Sequence, residues 1–311
     1  MIQTIAIIGT GAVGGYYGAL LQKAGFDVHF LVHHDFNHIQ KNGLKIDSPN
    51  GNFLLPKVKA YTNPKKLPLC DLAIIALKTT TNSILPSFLP FILKRDGIVL
   101  TLQNGLGNEE ELSKLLDPSR IYGGLCFLCS NKIAPGHIQH LDYGLITLGK
   151  YIPNIHSRLN ELHSIFETAS IPTKIIENLS LARWKKLIWN IPFNGLSVVH
   201  NMQTNQLVLN PKIRKRCHMI MNEVSDAAQA YSQIIEPSFI EKMILDTEKM
   251  KPYSPSMKLD FERGNPMEIE SIYKAPLEAA KKRGIKMPET EKLYQQLVNL
   301  NKSNLIHSTK H

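Results

Sequence analysis

The chain has 311 residues, of which 43% are hydrophobic, and a formal net charge of +10 at pH 7. This length exceeds the usual size of one domain, so two domains are expected, and the apolar fraction permits a full core. The basic residues are spread along the chain and are not gathered in a block with aromatic residues, which argues against a nucleic-acid-binding protein. The longest apolar stretch contains Pro86 and Pro90 and is too short to span a bilayer, so no membrane segment is expected.

The start of the chain and its cysteines favour a cytoplasmic protein. A strand is predicted to begin at the fourth residue, which leaves no room for a signal peptide. The four cysteines fit a reducing compartment, and the C-x-x-C formed by Cys126 and Cys129 lacks the second pair that a zinc site would need. His137 and His140 have no supporting carboxylate nearby. We therefore expect structural thiols and no metal site.

A glycine-rich turn follows the first apolar run of the sequence. Residues 4–8 predict a strand, residues 16–25 predict a helix, and the turn between them reads Gly9-Thr10-Gly11-Ala12-Val13-Gly14. This is the strand–turn–helix context of a dinucleotide site, in which the glycines permit a sharp turn, a close approach of the backbone to the pyrophosphate, and tight helix packing. A second strand, residues 28–32, follows at the distance of a βαβ unit. The pattern predicts a bound dinucleotide; the alternative is a glycine-rich turn in another α/β domain.

The end of the second predicted strand bears on the choice of dinucleotide. An acidic residue there favours NAD, and a basic residue favours NADP. This chain has His33 and His34, and the acidic residue Asp35 comes only after them, further along the loop. The choice between the two dinucleotides stays open on this evidence.

Two further predicted strands end in polar residues. The apolar run 72–77 reads as a buried parallel strand and is followed by Lys78, and the run 97–102 is followed by Gln103, Asn104 and Gly105. Ligands bind at the carboxyl ends of strands in open α/β sheets, so Lys78 and Asn104 are candidate ligand-binding residues. The alternatives are a solvent-facing lysine and an ordinary Asn-Gly turn.

The rest of the first domain is predicted to add antiparallel strands to the same sheet. Residues 121–149 read as several strands with turns at 135–136 and 142–144, and a helix at 158–169 and a short strand at 172–176 follow. Long helical patterns replace this alternation after Asn178. We therefore predict an α/β fold in which a Rossmann-type dinucleotide-binding domain, residues 1–177, precedes an all-α domain, residues 178–311.

The second domain opens with polar residues on an apolar helix. Lys186, Asn190 and Asn194 are spaced four residues apart and therefore share one helical face, although Pro192 is expected to bend the axis. Polar groups on a mostly buried helix need partners, which are either other side chains or a substrate. Further helices are predicted at 212–233, 238–250, 258–264 and 268–283.

These motifs together resemble the ketopantoate reductase (2-dehydropantoate 2-reductase) family over nearly the whole chain. The glycine motif is shared by many enzymes. Much more specific is Trp184-Lys-Lys186-Leu-Ile-Trp-Asn190-x-x-x-Asn194 followed by Ser256-Met257 and, twelve residues after the serine, by Glu268. The resemblance implies NADPH-dependent reduction of 2-dehydropantoate to pantoate in pantothenate biosynthesis, with a small 2-keto acid as substrate.

The resemblance also assigns roles to residues. It implies that Lys186 is the general acid and that Glu268 lies beside it and binds a substrate hydroxyl. It implies a substrate-binding set of Asn104, Lys186, Asn190, Asn194 and Ser256. It implies a cofactor-binding set of Gly9, Thr10, Gly11, Ala12, Val13, Gly14, His33, Lys78 and Asn104. These roles suit the chemistry, because hydride addition to a ketone creates an alkoxide that a positioned lysine can stabilise and protonate.

Two departures from the family pattern keep alternatives open. The family often has arginine where this chain has His33, and Pro192 interrupts the lysine–asparagine helix. The alternatives are a reductase of another 2-keto acid, with either NADP or NAD as its cofactor, and a catalytically silent dinucleotide-binding paralogue. For Lys186 and Glu268 the competing interpretations are a structural ion pair and a helix-capping carboxylate. A homodimer also stays open, because the sequence does not set the oligomeric state.

Overall fold

The structure is a computed structural model that describes residues 1–152 and 157–308. Internal packing divides the chain into two compact units, and the segment Asn104–Gly107 belongs to the second unit although the chain on both sides of it belongs to the first. The first unit otherwise ends at Leu179, and the second begins again at Ser180. The domain limits 1–177 and 178–311 stay a prediction. That prediction did not include the separate placement of residues 104–107.

Ten strands in the described part of the chain form one sheet in the first unit. Their order is β4-β3-β9-β8-β7-β6-β1-β2-β5, and β10 pairs with β9. The strands are β1 (Thr4–Ile8), β2 (Asp27–Leu31), β3 (Leu44–Asp47), β4 (Phe53–Leu55), β5 (Lys59–Tyr61), β6 (Cys70–Ile75), β7 (Leu93–Thr101), β8 (Ile121–Ala134), β9 (His137–Lys150) and β10 (Thr173–Ile175).

The strands from β5 through β2, β1, β6 and β7 to β8 are all parallel to their neighbours. Both faces of this part of the sheet are covered, so β1 and β6 are almost entirely apolar and buried. The helices of the unit are α1 (Ala12–Lys23), α2 (Phe36–Asn42), α3 (Asn108–Ser113) and α4 (Leu159–Thr168). Because the strands are parallel, the carboxyl ends of β1, β2, β6 and β7 meet at one edge of the sheet.

The strands β8 and β9 form a long antiparallel hairpin around the predicted turn at Pro135 and Gly136. The second turn, predicted at residues 142–144, is wrong. Asp142 and Tyr143 pair with residues of β8, and the register of the hairpin shifts next to them. Tyr143 has a positive φ of 63°, so the polar residues mark an irregularity within a continuing strand. The short strands β3, β4 and β5 were not predicted.

The second unit is helical. Its helices are α5 (Leu179–His200), α6 (Thr204–Leu209), α7 (Pro211–Gln229), α8 (Pro237–Lys249), α9 (Ser256–Glu262), α10 (Ala275–Lys282) and α11 (Pro288–Ser308), and a π-helical segment (Glu270–Lys274) precedes α10. Trp184, Ile188 and Phe193 of α5 lie in the core of this unit. The predicted combination of an α/β sheet domain of Rossmann type with a helical carboxy-terminal domain is confirmed.

The four cysteines are free thiols, and two of them are deeply buried. Burial raises the pKa of Cys70 and of Cys217 to about 12, so both remain protonated at neutral pH. Within the described residues, every helix is either too short or too polar to span a lipid bilayer.

Candidate active site

The glycine turn between β1 and α1 is crowded at two positions and open at the third. Gly9 has a φ of +100°, and an added Cβ would lie 2.5 Å from the Leu77 nitrogen. An added Cβ at Gly14 would overlap the carbonyl oxygen of Gly9. An added Cβ at Gly11 would meet nothing within 4 Å. The fold therefore requires glycine at positions 9 and 14, and Gly11 borders space that a ligand can fill.

The amino end of α1 has the features of an anion-binding site. The Gly15 amide donates to the Gly11 carbonyl at 2.9 Å, and no side chain caps the helix, so the preceding amides have no intrahelical acceptor. Such amides, together with the helix dipole, favour a phosphate group. The Thr10 hydroxyl donates to the Leu31 carbonyl at 3.0 Å and fixes the turn to the end of β2. Gly11, Ala12 and Val13 could thus hold the pyrophosphate of a dinucleotide.

The acid that follows β2 is engaged elsewhere in the fold. Asp35 is only 5% exposed, and its carboxylate accepts hydrogen bonds from the Lys132 ammonium at 2.9 Å and from the Gly136 amide at 3.1 Å. His33 and His34 are exposed, with ring centroids 4.1 Å apart. The two imidazoles, and not the carboxylate, are therefore the side chains that this loop presents to solvent.

Gln103 connects the ends of two central strands. Its amide donates to the Leu77 carbonyl at 2.9 Å and to the Asn82 side-chain oxygen at 2.7 Å. These part-buried hydrogen bonds fix Leu77, the residue before Lys78. The Lys78 side chain itself is exposed. The sequence motif assigned no role to Gln103. The structure shows that its side chain joins the segments that follow β6 and β7.

The other predicted site residues lie in the second unit. They are Asn104, Lys186, Asn190, Asn194, Ser256 and Glu268. Asn190, Asn194 and Glu268 are 6%, 3% and 5% exposed, whereas Lys186 and Ser256 are half-buried. The set combines a lysine, a carboxylate and uncharged polar side chains, several of them buried. This composition suits a ligand site.

One of these residues has an unsatisfied atom. The side-chain oxygen of Asn194 is buried and has no hydrogen-bond partner among the described residues. The helix α5 that carries it continues through Pro192. Leaving a buried acceptor unsatisfied costs about 1–3 kcal/mol, so a hydroxyl group of a bound ligand would stabilise this position. Elsewhere in residues 1–152 and 157–308, no group of three or more His, Cys, Asp or Glu side chains is placed to hold a metal ion.

Comparisons with known proteins assign both units to one family. The family model described as "Ketopantoate reductase PanE/ApbA" matches residues 5–153, and the model of its C-terminal part matches residues 178–301. A curated relative from Nostoc sp., named 2-dehydropantoate 2-reductase, is 50% identical over 94% of this chain and 93% of its own length.

Solved structures agree with this assignment. A crystal structure of 2-dehydropantoate 2-reductase from Geobacter metallireducens is 42% identical, has a TM-score of 0.92, and is matched over 95% of this chain and 99% of its own. A ternary structure of D-mandelate dehydrogenase with NADH and anilino(oxo)acetate has a TM-score of 0.90, with coverage of 97% and 99%. It is only 21% identical, so it shows the shared fold alone.

Proposed function

The chain belongs to the ketopantoate reductase family, and from that premise we propose that it reduces the 2-keto group of 2-dehydropantoate to the hydroxyl of pantoate with NADPH. The observation that carries the substrate part of the proposal is the buried polar face of α5, on which the Asn194 oxygen has no partner among the described residues. An acceptor in that position suits a hydroxylated substrate. The four free thiols fit a reducing compartment, and a cytoplasmic location is part of the proposal.

Lys186 is the general acid in this proposal. When bound, NADPH supplies the hydride that the 2-keto carbon accepts. The charge that develops on the keto oxygen is then neutralised by a proton from the Lys186 ammonium, which also stabilises that charge as it forms. Glu268 is a carboxylate in a buried position and would accept a hydrogen bond from a substrate hydroxyl. Asn104, Asn190, Asn194 and Ser256 would orient the substrate through uncharged hydrogen bonds.

The loop after β2 supports the proposed preference for NADPH. Asp35 is the first acidic side chain after β2, and its carboxylate is already engaged by Lys132 and by the Gly136 amide. His33 and His34 are exposed at the same loop and carry ring nitrogens that can donate to a phosphate. Lys78, at the end of β6, provides a positive charge. These features support a site for a 2′-phosphate.

The first experiment measures NADPH and NADH oxidation in parallel, with 2-dehydropantoate and a panel of other 2-keto acids. We expect the highest kcat/KM for 2-dehydropantoate with NADPH. Faster turnover of another 2-keto acid would replace the substrate in the proposal, and equal rates with NADH would remove the cofactor preference. Nucleotide binding without turnover of any 2-keto acid would identify a silent paralogue.

Substituting His33→Arg tests the phosphate site directly. The added guanidinium carries a permanent charge and can bind the 2′-phosphate through two hydrogen bonds, so we expect kcat/KM for NADPH to rise about tenfold, which corresponds to about 1.4 kcal/mol. The value for NADH should not change. His38→Arg is the matched control, because His38 is also exposed in the first unit and its ring contacts Asn42. An equal gain in both variants would point to general electrostatic attraction.

A further inference from the structure

The π-helical segment Glu270–Lys274 lies two residues after Glu268. At its end, the Ala275 amide donates to the Glu270 carbonyl, five residues back. The Ser271 carbonyl would next require the amide of residue 276, but Pro276 has no N–H group. The next hydrogen bond of the π-helical pattern therefore cannot form. π-helical turns of this kind occur frequently at functional sites.

The loop that carries Asn104 donates a hydrogen bond to the Ser271 carbonyl. The Leu106 amide donates to the Ser271 carbonyl at 2.9 Å. Gly105 makes this approach sterically feasible, since it has a φ of +94° and an added Cβ would lie 2.5 Å from the Ser271 carbonyl oxygen. The π-helical segment thus holds a loop adjacent to one proposed substrate residue, Asn104, and continues directly from another, Glu268.

Tyr273 connects the same segment to α5. Its side chain is completely buried, and its hydroxyl donates to the Ile191 carbonyl at 2.9 Å. The backbone of Gly195 also lies close to this hydroxyl. Gly195 leaves room for this contact, because an added Cβ would lie 2.6 Å from the tyrosine oxygen. Burial raises the pKa of Tyr273 well above its usual value, so the hydroxyl keeps the proton that it donates.

The hydroxyl therefore contacts the helix backbone at Ile191 and at Gly195, the residues that directly follow Asn190 and Asn194. Pro192 lies within the same turn and already removes one hydrogen bond of the helix. A proline and an inserted polar group are both established causes of a change in helix direction.

We propose that Tyr273 is a positioning residue for ketone reduction, which sets the relative orientation of Asn190 and Asn194 and couples α5 to the segment that bears Glu268. The inference deepens the proposed function and rests on it. Without the hydroxyl, the Ile191 carbonyl loses this hydrogen bond, so the turn that contains Pro192 changes shape and Asn194 rotates relative to Asn190. Tyr273 itself need not touch the substrate.

Tyr273→Phe tests the proposal with Tyr231→Phe as a matched control. Tyr231 lies in the same unit, and its hydroxyl also donates to a backbone carbonyl, that of Ala279, at 2.9 Å. We expect Tyr273→Phe to lower kcat/KM about tenfold for the 2-keto acid that the wild type reduces best, with an unchanged Kd for NADPH. We expect Tyr231→Phe to keep kcat/KM within about twofold. The Tm values of the two variants should fall by similar amounts.

Hydrogen exchange provides a readout that does not require turnover. In Tyr273→Phe, the exchange rate of the Gly195 amide should change relative to the wild type, whereas Tyr231→Phe should leave it unchanged. Equal kcat/KM in both variants and the wild type would overturn the proposal, as would an unchanged Gly195 exchange rate. If the wild type reduces no 2-keto acid, the proposed function fails and the positioning role fails with it. An active wild type with an unaffected Tyr273→Phe variant contradicts only the positioning role.

Discussion

Replacing Lys186 by alanine is expected to lower kcat by about 10²–10⁴-fold while the Kd for NADPH stays unchanged. The substitution removes both the proton donor and the positive charge that stabilises the developing alkoxide. Lys186 is not among the residues expected to bind the cofactor. The loss should therefore appear in the chemical step and not in nucleotide binding.

Single-turnover measurements of NADPH oxidation, combined with a fluorescence titration of NADPH, separate these two quantities. Lys185→Ala is the matched control. This lysine is the preceding residue of α5, and its ammonium lies 5.2 Å from the centroid of the Phe239 ring. Removing the Lys185 side chain should change kcat little. The cation–π contact that is lost contributes only about 0.5–1 kcal/mol to the free energy of unfolding. A Lys186→Ala variant with wild-type kcat would refute the general-acid role.

Gly14 and Gly11 should respond to alanine in different ways. Gly14→Ala forces a methyl group into the Gly9 carbonyl oxygen and against the Ala76 side chain, so we expect it to reduce the free energy of unfolding by about 2–3 kcal/mol or to prevent folding. Gly11→Ala points its methyl group into open space and should leave the stability of the nucleotide-free protein nearly unchanged. The same methyl group would occupy the approach to the pyrophosphate and should weaken NADPH binding at least about tenfold.

Thermal unfolding with and without NADPH distinguishes these outcomes. Gly11→Ala should retain the wild-type Tm without nucleotide and lose most of the Tm increase that NADPH causes. Gly25→Ala controls for the general cost of replacing a surface glycine, since its Cβ would also meet open space, although its φ of +96° adds backbone strain. Undiminished NADPH stabilisation of Gly11→Ala would exclude a dinucleotide bound across this turn.

The sequence could predict the parts of the fold and site that depend on local spacing. The glycine turn lies within six residues, and the side chains of Lys186, Asn190 and Asn194 share a face because a helix repeats every 3.6 residues. The same local reasoning placed α7 and α8 to within a few residues. It failed at residues 142–144, where the pairing of β9 with β8 overrode a strong local turn signal.

The features that could not be predicted depend on contacts between distant residues. The engagement of Asp35 requires Lys132, which lies 97 residues away, and the role of Tyr273 requires Ile191, which lies 82 residues away. One local signal was present: Pro276 fell inside the helix predicted at 268–283, and a proline there disfavours a regular α-helix. The sequence alone did not indicate that a π-helical turn and a loop amide would resolve the conflict.

The placement of residues 104–107 restricts how this protein can evolve by recombination. The two family models divide the chain between residues 153 and 178, which suggests a simple place for gene fusion or exchange. A helical unit transferred at that point would leave behind the four residues that pack within it, and its Ser271 carbonyl would meet the recipient's version of this loop. A functional chimera must therefore inherit both pieces from one parent or from parents with compatible versions. The second unit is therefore complete only with residues 104–107, which the gene encodes in the middle of the first unit.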